Sequence, residues 1–119
     1  MHELSIAHNI LEIVQQYVPP NDTRSIKTVR MKVGELSGVV SESLEFCFDA
    51  ITVGTYLQGA HLDIEPIPLK SECRKCTNTF RVEEYNFRCP SCGSDDLSII
   101  AGRELQVTEI ELNDGGDAP

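Results

Sequence analysis

Tryptophan is absent from this 119-residue sequence, aromatic residues make up only 6% of it, and basic residues are scarce. Ten Lys and Arg stand against nineteen Asp and Glu, so the formal net charge is −9 and the isoelectric point is near 4.6. Nucleic-acid binding requires clustered basic side chains that neutralise phosphates, and this composition argues against it. The hydrophobic content of 40% still suffices for one modest core of aliphatic side chains.

Long apolar segments are missing as well. No stretch of the sequence approaches the roughly twenty apolar residues that a membrane-spanning helix needs. The segment from Met1 to Ile6 contains neither the basic region nor the apolar run of a signal peptide. We therefore expect a soluble, cytoplasmic protein that does not bind membranes.

The motifs of common enzyme classes are also absent. The sequence contains no phosphate-binding loop, no Ser-His-Asp arrangement and no Gly-x-Gly-x-x-Gly pattern. A small metallohydrolase that uses His2 and Glu3 is a conceivable alternative, but one histidine and one carboxylate make a poor catalytic metal site. We therefore expect a protein that is not an enzyme and has no catalytic residues.

Cysteine, in contrast, is concentrated in one segment. Four of the five cysteines form two Cys-x-x-Cys pairs, Cys73 with Cys76 and Cys89 with Cys92. This spacing predicts a tetrahedral four-thiolate zinc site, and four protein ligands leave no open position for a substrate, which is typical of structural zinc. Two disulfides are the alternative, but they require an oxidising compartment of which the sequence gives no sign.

Hydrophobic periodicity predicts two helices and several strands along the chain. The predicted helices are 4–18 and 42–53, the latter with Ser41 as its N-cap. The predicted strands are 25–33, 60–65 and 103–112 in the main sheet, with 79–82 and 85–88 as short hairpin strands. Pro66 is expected to end regular pairing of the second strand.

These elements predict an α+β fold. Two helices lie on a small three-stranded mixed sheet, and a four-cysteine zinc-ribbon module is inserted into the chain. The predicted domains are 1–69 plus 99–112 for the α+β part and 70–98 for the zinc-binding part, followed by a flexible tail at 113–119. His8 and His61 are expected on the surface, and Cys47 is expected to be a buried apolar residue.

The amino end offers a second, different set of metal donors. The Met1 amine, the amide nitrogen of His2 and the imidazole of His2 can reach one metal through small fused chelate rings, and Glu3 can add a further donor. Nitrogen-rich, nearly planar donor sets suit Ni(II) or Cu(II) better than Zn(II). Such a site would be open and easily remade, as a metal that is passed on requires.

Several motifs together resemble the HypA/HybF family of nickel metallochaperones, which serve the maturation of nickel–iron hydrogenase. They are Met1-His2-Glu3-Leu4-Ser5, Val33-Gly34-Glu35-Leu36-Ser37-Gly38-Val39, Glu42-Ser43-Leu44, Phe46 to Ala50 and the two Cys-x-x-Cys pairs. The resemblance covers nearly the whole chain, with the motifs in the family's order.

The resemblance implies a function and two metal sites. His2 would be the principal nickel ligand, assisted by the Met1 amine and by the backbone nitrogens of His2 and Glu3. The zinc ligands would be Cys73, Cys76, Cys89 and Cys92. The partners would be a nickel-binding GTPase and the hydrogenase large-subunit precursor, some members also serving urease, and the protein would be a monomer or a homodimer.

Two departures from the family bear on the metal sites. Some relatives carry an Asp near the start of the second helix, where this chain has Val40-Ser41-Glu42, and the zinc segment here has no histidine. A histidine-based switch at the zinc is therefore not expected. The alternative function is a zinc-ribbon interaction module of a nucleic-acid or transcription complex, for which Arg74, Lys75, Arg81 and Arg88 would supply the basic groups.

Overall fold

The computed structural model describes residues 3–21 and 25–113. Met1 and His2, residues 22–24, and residues 114–119 of the predicted tail lie outside the described residues. The described chain is grouped into two compact units. The first comprises the described parts of Met1–Lys32, Val39–Glu65 and Gln106–Pro119, and the second comprises Val33–Gly38 and Pro66–Leu105. The domain limits expected from the sequence stay a prediction.

Two helices form one layer of the first unit. Helix α1 spans Glu3–Tyr17 and helix α2 spans Ser41–Thr52. They pack against each other, because each has an apolar stripe at helical spacing. The buried residues are Ile6, Ala7, Ile10 and Val14 on α1 and Leu44, Phe48 and Thr52 on α2.

A small mixed three-stranded sheet has the order β2-β1-β6. Its strands are β1 (Ile26–Gly34), β2 (His61–Ile67) and β6 (Leu105–Leu112). The central strand β1 buries alternate apolar side chains, among them Val29 and Met31. The Asn113 N–H donates to the Ser25 carbonyl at 2.9 Å, so the end of β6 lies beside the start of β1 and these strands run antiparallel.

The exposed face of this sheet carries an ion-pair cluster centred on Arg30. Its guanidinium donates to Glu109 at 2.9 Å, to Glu111 at 3.1 Å and to Asp63 at 3.3 Å, so it joins all three strands. These side chains are partly exposed, and solvent screening limits their contribution to stability. The main effect of these ion pairs is that the positive charge of Arg30 offsets the negative charge of the acidic side chains on the strands.

The second unit contains its own antiparallel sheet, of order β4-β3-β5. Its strands are β3 (Lys70–Cys73), β4 (Thr79–Arg81) and β5 (Leu97–Ala101). Gly34 and Gly102 meet closely in this unit: a Cβ on Gly34 would lie 2.1 Å from the Gly102 carbonyl oxygen. Only glycine fits at Gly34, because the backbones touch there.

The structure corrects three details of the sequence-based expectations. The predicted hairpin strand 85–88 is wrong, since Glu84 and Tyr85 form a turn with φ of 53° and 57°, and β5 pairs with β3 instead. Strand β2 continues through Pro66, which is tolerated because β2 lies at the edge of its sheet. Ser41 is the first residue of α2 rather than its N-cap, which is Val40.

The burial of α2 also differs from expectation. Cys47 is half-buried rather than buried, and Phe46 and Val53 are 74% and 66% exposed. His8 and His61 are exposed, which confirms the prediction for both. Among the residues that the structure describes, no helix is long and apolar enough to cross a membrane.

Two phenylalanines of α2 provide a matched test of this packing. Phe48 is fully buried while Phe46 is 74% exposed. Replacing Phe48 with Ala should lower the free energy of unfolding by about 3–5 kcal/mol, because it removes a large core side chain and leaves a cavity. Replacing Phe46 with Ala should change it by less than about 0.5 kcal/mol. Denaturant unfolding of both variants measures the difference, and equal losses would contradict this packing.

Candidate metal centre

The four clustered cysteines converge in the second unit. Cys73 is the last residue of β3, and Cys89 and Cys92 lie in the loop before β5. The Sγ atoms of Cys73, Cys76, Cys89 and Cys92 all lie within 4.8 Å of one another. Within residues 3–21 and 25–113 this is the only group of three or more His, Cys, Asp or Glu placed to hold a metal ion.

The distances between the sulfurs fit a tetrahedral zinc ion. The Cys73 and Cys92 sulfurs are 3.6 Å apart, and the Cys76 and Cys89 sulfurs are 3.5 Å apart. Zn–S bonds of about 2.3 Å in a regular tetrahedron place sulfurs roughly 3.8 Å apart. A disulfide requires about 2.05 Å, so the arrangement supports a shared metal rather than two disulfides.

Each Cys-x-x-Cys pair is presented by the same backbone turn. The Cys73 N–H donates to the Asn78 carbonyl, and the Cys73 carbonyl accepts from the Thr77 N–H, both at 2.9 Å. In the second pair the Cys89 N–H donates to Ser94 and the Cys89 carbonyl accepts from Gly93, both at 2.8 Å. The equivalent turns hold the two sulfurs of each pair on one side of the chain.

The turn requires a left-handed backbone at its fifth residue. Gly93 occupies this position in the second pair with φ of 76°, and Thr77 occupies it in the first with φ of 63°. Glycine adopts this conformation without steric cost, whereas a β-branched residue does not. The Thr77 hydroxyl donates to the Cys76 carbonyl at 2.6 Å, a bond that compensates part of that cost.

The first cysteine of each pair has a lowered pKa. The backbone N–H of Cys76 lowers the pKa of the Cys73 thiol, partly opposed by burial. Burial raises the pKa of the Cys89 thiol, but the backbone N–H groups of Cys92 and Ser91 outweigh it and lower that pKa to about 6. Both thiols therefore lose their protons more readily than an ordinary cysteine does, and the thiolate is the form that binds metal.

The second cysteine of each pair holds its proton more strongly. The Asn78 N–H lowers the pKa of Cys76, but the Cys89 sulfur, burial and the other two cysteine sulfurs together outweigh it and raise that pKa to about 12. The Ser94 N–H likewise lowers the pKa of Cys92, while the Cys73 sulfur raises it, for a net increase. Protons held on these second cysteines oppose metal binding, because a metal ion must displace them.

The structure describes only one of the three residues predicted to bind nickel. Met1 and His2 lie outside the described residues, while Glu3 begins α1 and is half-buried. The Glu3 Oε2 accepts a hydrogen bond from the Val40 N–H at 3.3 Å. Val40 is the N-cap of α2 and has no side-chain cap, so the Glu3 carboxylate serves this helix end in place of a local capping residue.

One contact of the second unit is not evident from sequence patterns. The Glu35 Oε1 accepts from the Leu69 N–H at 3.0 Å and lies 3.9 Å from the Arg81 guanidinium. Glu35 thus holds the segment that leads into β3. In the sequence, only its position next to Gly34 draws attention to Glu35, because Leu69 and Arg81 are more than thirty residues away along the chain.

Comparison with known proteins places the chain among nickel-handling proteins. A family model described as hydrogenase/urease nickel incorporation, metallochaperone, hypA matches residues 1–112. The chain is 44% identical over 112 residues to hydrogenase maturation factor HypA of Geobacter sulfurreducens, covering 94% of this chain and 99% of that protein. It is 38% identical over 115 residues to the protein of the same name from Roseiflexus sp., covering 96% and 94%.

Solved structures support the fold. The solution structure of the Ni metallochaperone HypA from Helicobacter pylori aligns with a TM-score of 0.64 at 23% identity, covering 94% of this chain and 97% of that one. A second solution structure, of a HypA protein, aligns with a TM-score of 0.69 at 23% identity, covering 95% and 97%. These alignments confirm the predicted α+β fold, and the clustered sulfurs confirm its four-cysteine module.

The left-handed turn at Gly93 can be tested by substitution. No atom lies within 4 Å of a Cβ built on Gly93, so only its φ of 76° opposes a side chain. Gly93→Val should weaken zinc retention by about 1–2 kcal/mol, whereas Gly93→Asn, which tolerates this conformation, should retain most of it. Competition with a chromophoric chelator measures both, and equal losses would contradict the argument from φ.

The pKa values predict how zinc affinity depends on pH. Above about pH 6 Cys89 is deprotonated in the metal-free cluster while Cys76, with a pKa of about 12, keeps its proton, so near neutral pH zinc displaces at least the Cys76 proton but fewer than four, and its apparent affinity rises with pH. Below about pH 6 Cys89 also becomes protonated, so affinity falls more steeply. Chelator competition across pH measures the slope. A slope near four at neutral pH would show four independent thiols instead.

Proposed function

The chain belongs to the HypA family of hydrogenase/urease nickel incorporation metallochaperones, and on this premise we propose that it binds Ni(II) at its amino terminus and delivers it for maturation of nickel–iron hydrogenase. As a member of this family it is a metallochaperone and not an enzyme. The observation that carries the proposal is the match of the family model over residues 1–112, which include both the Met1-His2-Glu3 segment and the four cysteines.

The proposed nickel ligands are the His2 imidazole and amide nitrogen, with the Met1 amine and Glu3 assisting. This donor set suits Ni(II) because it is rich in nitrogen and nearly planar. The hydrogen bond from the Val40 N–H to Glu3 supports the proposal, since it holds the residue next to His2 against the start of α2. The preceding donors would then be attached to a fixed point of the fold.

Zinc would have a separate, structural role. The four cysteine sulfurs would hold one Zn(II) and stabilise the second unit. Soft thiolates and a closed tetrahedron suit zinc, while the nickel site would remain open for exchange. The two metals would therefore be sorted by donor type and geometry within one chain.

The proposed partners follow from the family. A nickel-binding GTPase and the hydrogenase large-subunit precursor would exchange nickel with this protein, and urease is a further recipient that the family description includes. The net charge of −9 does not favour nucleic acid, and neither the charge nor the comparisons favour the alternative role in a transcription complex. Cytoplasmic location and a monomeric or homodimeric state stay predictions.

The three histidines of the chain allow a matched test of the nickel site. Replacing His2 with Ala should weaken Ni(II) binding by at least about tenfold, because it removes the principal ligand. His8→Ala and His61→Ala should leave binding unchanged, since both side chains are exposed and neither belongs to the proposed donor set. Calorimetric Ni(II) titration of zinc-loaded protein without an affinity tag measures this, with zinc content as the folding control. Unchanged nickel affinity in the His2 variant would overturn the proposed site.

A further inference from the structure

Helix α2 carries apolar side chains on two faces, and among residues 3–21 and 25–113 only one of these faces is buried. Leu44, Phe48 and Thr52 are buried. On another face, Phe46 is 74% exposed, Val53 is 66% exposed and Ala50 between them is also exposed. Phe46 and Ala50 are four residues apart on α2, and Val53, seven residues after Phe46, is the C-cap of the helix with φ of −59°. Residues spaced by four and seven lie on one side of a helix, so these three side chains form one apolar surface, here named the α2 stripe.

Acidic side chains lie along one side of the α2 stripe. Glu42 and Asp49 lie one turn before and one turn after Phe46, and Glu45 is its neighbour along the chain. Neither α1 nor α2 contains a Lys or an Arg. The helical layer therefore combines exposed apolar surface with negative charge.

These carboxylates differ from those of the sheet. On the sheet, Arg30 makes ion pairs with Asp63, Glu109 and Glu111. Within residues 3–21 and 25–113, Glu42, Glu45 and Asp49 have no such cationic partner. The charge around the α2 stripe is thus available to a cation from another molecule.

The size of the α2 stripe favours a short segment over a second copy of this chain. Three side chains on one helix are far less than the roughly 1,200–2,000 Å² that a stable protein interface buries in total. Two copies joined through this face would also place like charges against each other, which opposes association. An amphipathic segment with Lys or Arg beside its apolar residues would meet both the apolar surface and the acidic rim.

We propose that the α2 stripe, Phe46, Ala50 and Val53 with the rim of Glu42, Glu45 and Asp49, is a docking surface for a cationic amphipathic segment of a partner protein. The apolar residues of that segment would cover Phe46, and its basic residues would pair with the rim. The contact would be transient because it is small. The inference does not depend on nickel binding.

Synthetic peptides provide the probe. One peptide of about eighteen residues carries Leu at helical spacing with Lys beside it, a second has Glu in place of every Lys, and a third keeps the Lys but replaces Leu with Ser. Each is titrated into zinc-loaded, nitrogen-15-labelled full-length protein while amide shifts are followed. We expect the Leu/Lys peptide to shift amides of residues 41–53 and the other two to bind at least about tenfold more weakly.

Three variants test which residues carry the contact. Phe46→Ser and Asp49→Lys should each weaken binding of the Leu/Lys peptide by at least about tenfold. Both positions are exposed, and a Lys in the second half of a helix suits its dipole, so both variants should fold. Tyr85→Ser is the matched control, because Tyr85 is an aromatic residue 63% exposed in the second unit, and it should leave binding unchanged.

Other results would overturn the proposal. Equal binding of the Leu/Lys and Leu/Glu peptides would show that the acidic rim does not select a cationic segment. Unchanged binding of the Leu/Lys peptide to the Phe46→Ser variant would show that the α2 stripe is not the docking surface. Sedimentation of the wild-type protein is the remaining measurement. A dimer that Phe46→Ser dissociates would show that a second copy occupies this surface, and the proposed partner segment would then be wrong.

Discussion

The convergence of four cysteine sulfurs within 4.8 Å is the constraint on which the second unit depends. This unit has few buried apolar side chains besides Leu69 and Val82, and two of its buried residues, Cys73 and Cys89, are themselves metal-ligand candidates. A module with so small a core needs a covalent or metal link to stay folded. The metal site therefore acts together with three other features to hold this unit folded. These are the turns that present the sulfurs, the pairing of β3 with β4 and β5, and the position of the Glu35 segment.

The same chain offers two kinds of metal chemistry. Thiolates enclosed by repeated backbone turns suit an ion that stays bound, because a complete ligand set leaves no position through which it can exchange. Nitrogen donors at a chain end suit an ion that is passed on. Glu3 connects that chain end to the fold through the Val40 N–H, at a helix end that lacks a local cap. In the proposed function this division would let one metal maintain the structure while the other is cargo.

Helix α2 has more apolar residues than the described part of the chain buries. Its apolar residues occupy two faces, and the first unit buries the face with Leu44 and Phe48 while Phe46 and Val53 remain exposed. Exposed apolar surface is unfavourable in water. An acidic rim that keeps this surface soluble also selects the charge of whatever binds it, so solubility and partner choice depend on the same side chains.

The sequence alone determined the features that depend on neighbouring residues. Cys-x-x-Cys spacing encodes the metal turns, and apolar periodicity encodes α1, α2 and the three strands of the main sheet, because these signals lie within a few residues of one another. Only the tertiary structure decided which strand completes the cysteine module, where β5 replaced the predicted strand at 85–88, and which face of α2 is covered. It also decided that Glu3 meets Val40 and that Glu35 meets Leu69. Those choices join residues more than twenty positions apart, and no local pattern records which distant partner will satisfy an exposed backbone N–H or cover an apolar side chain.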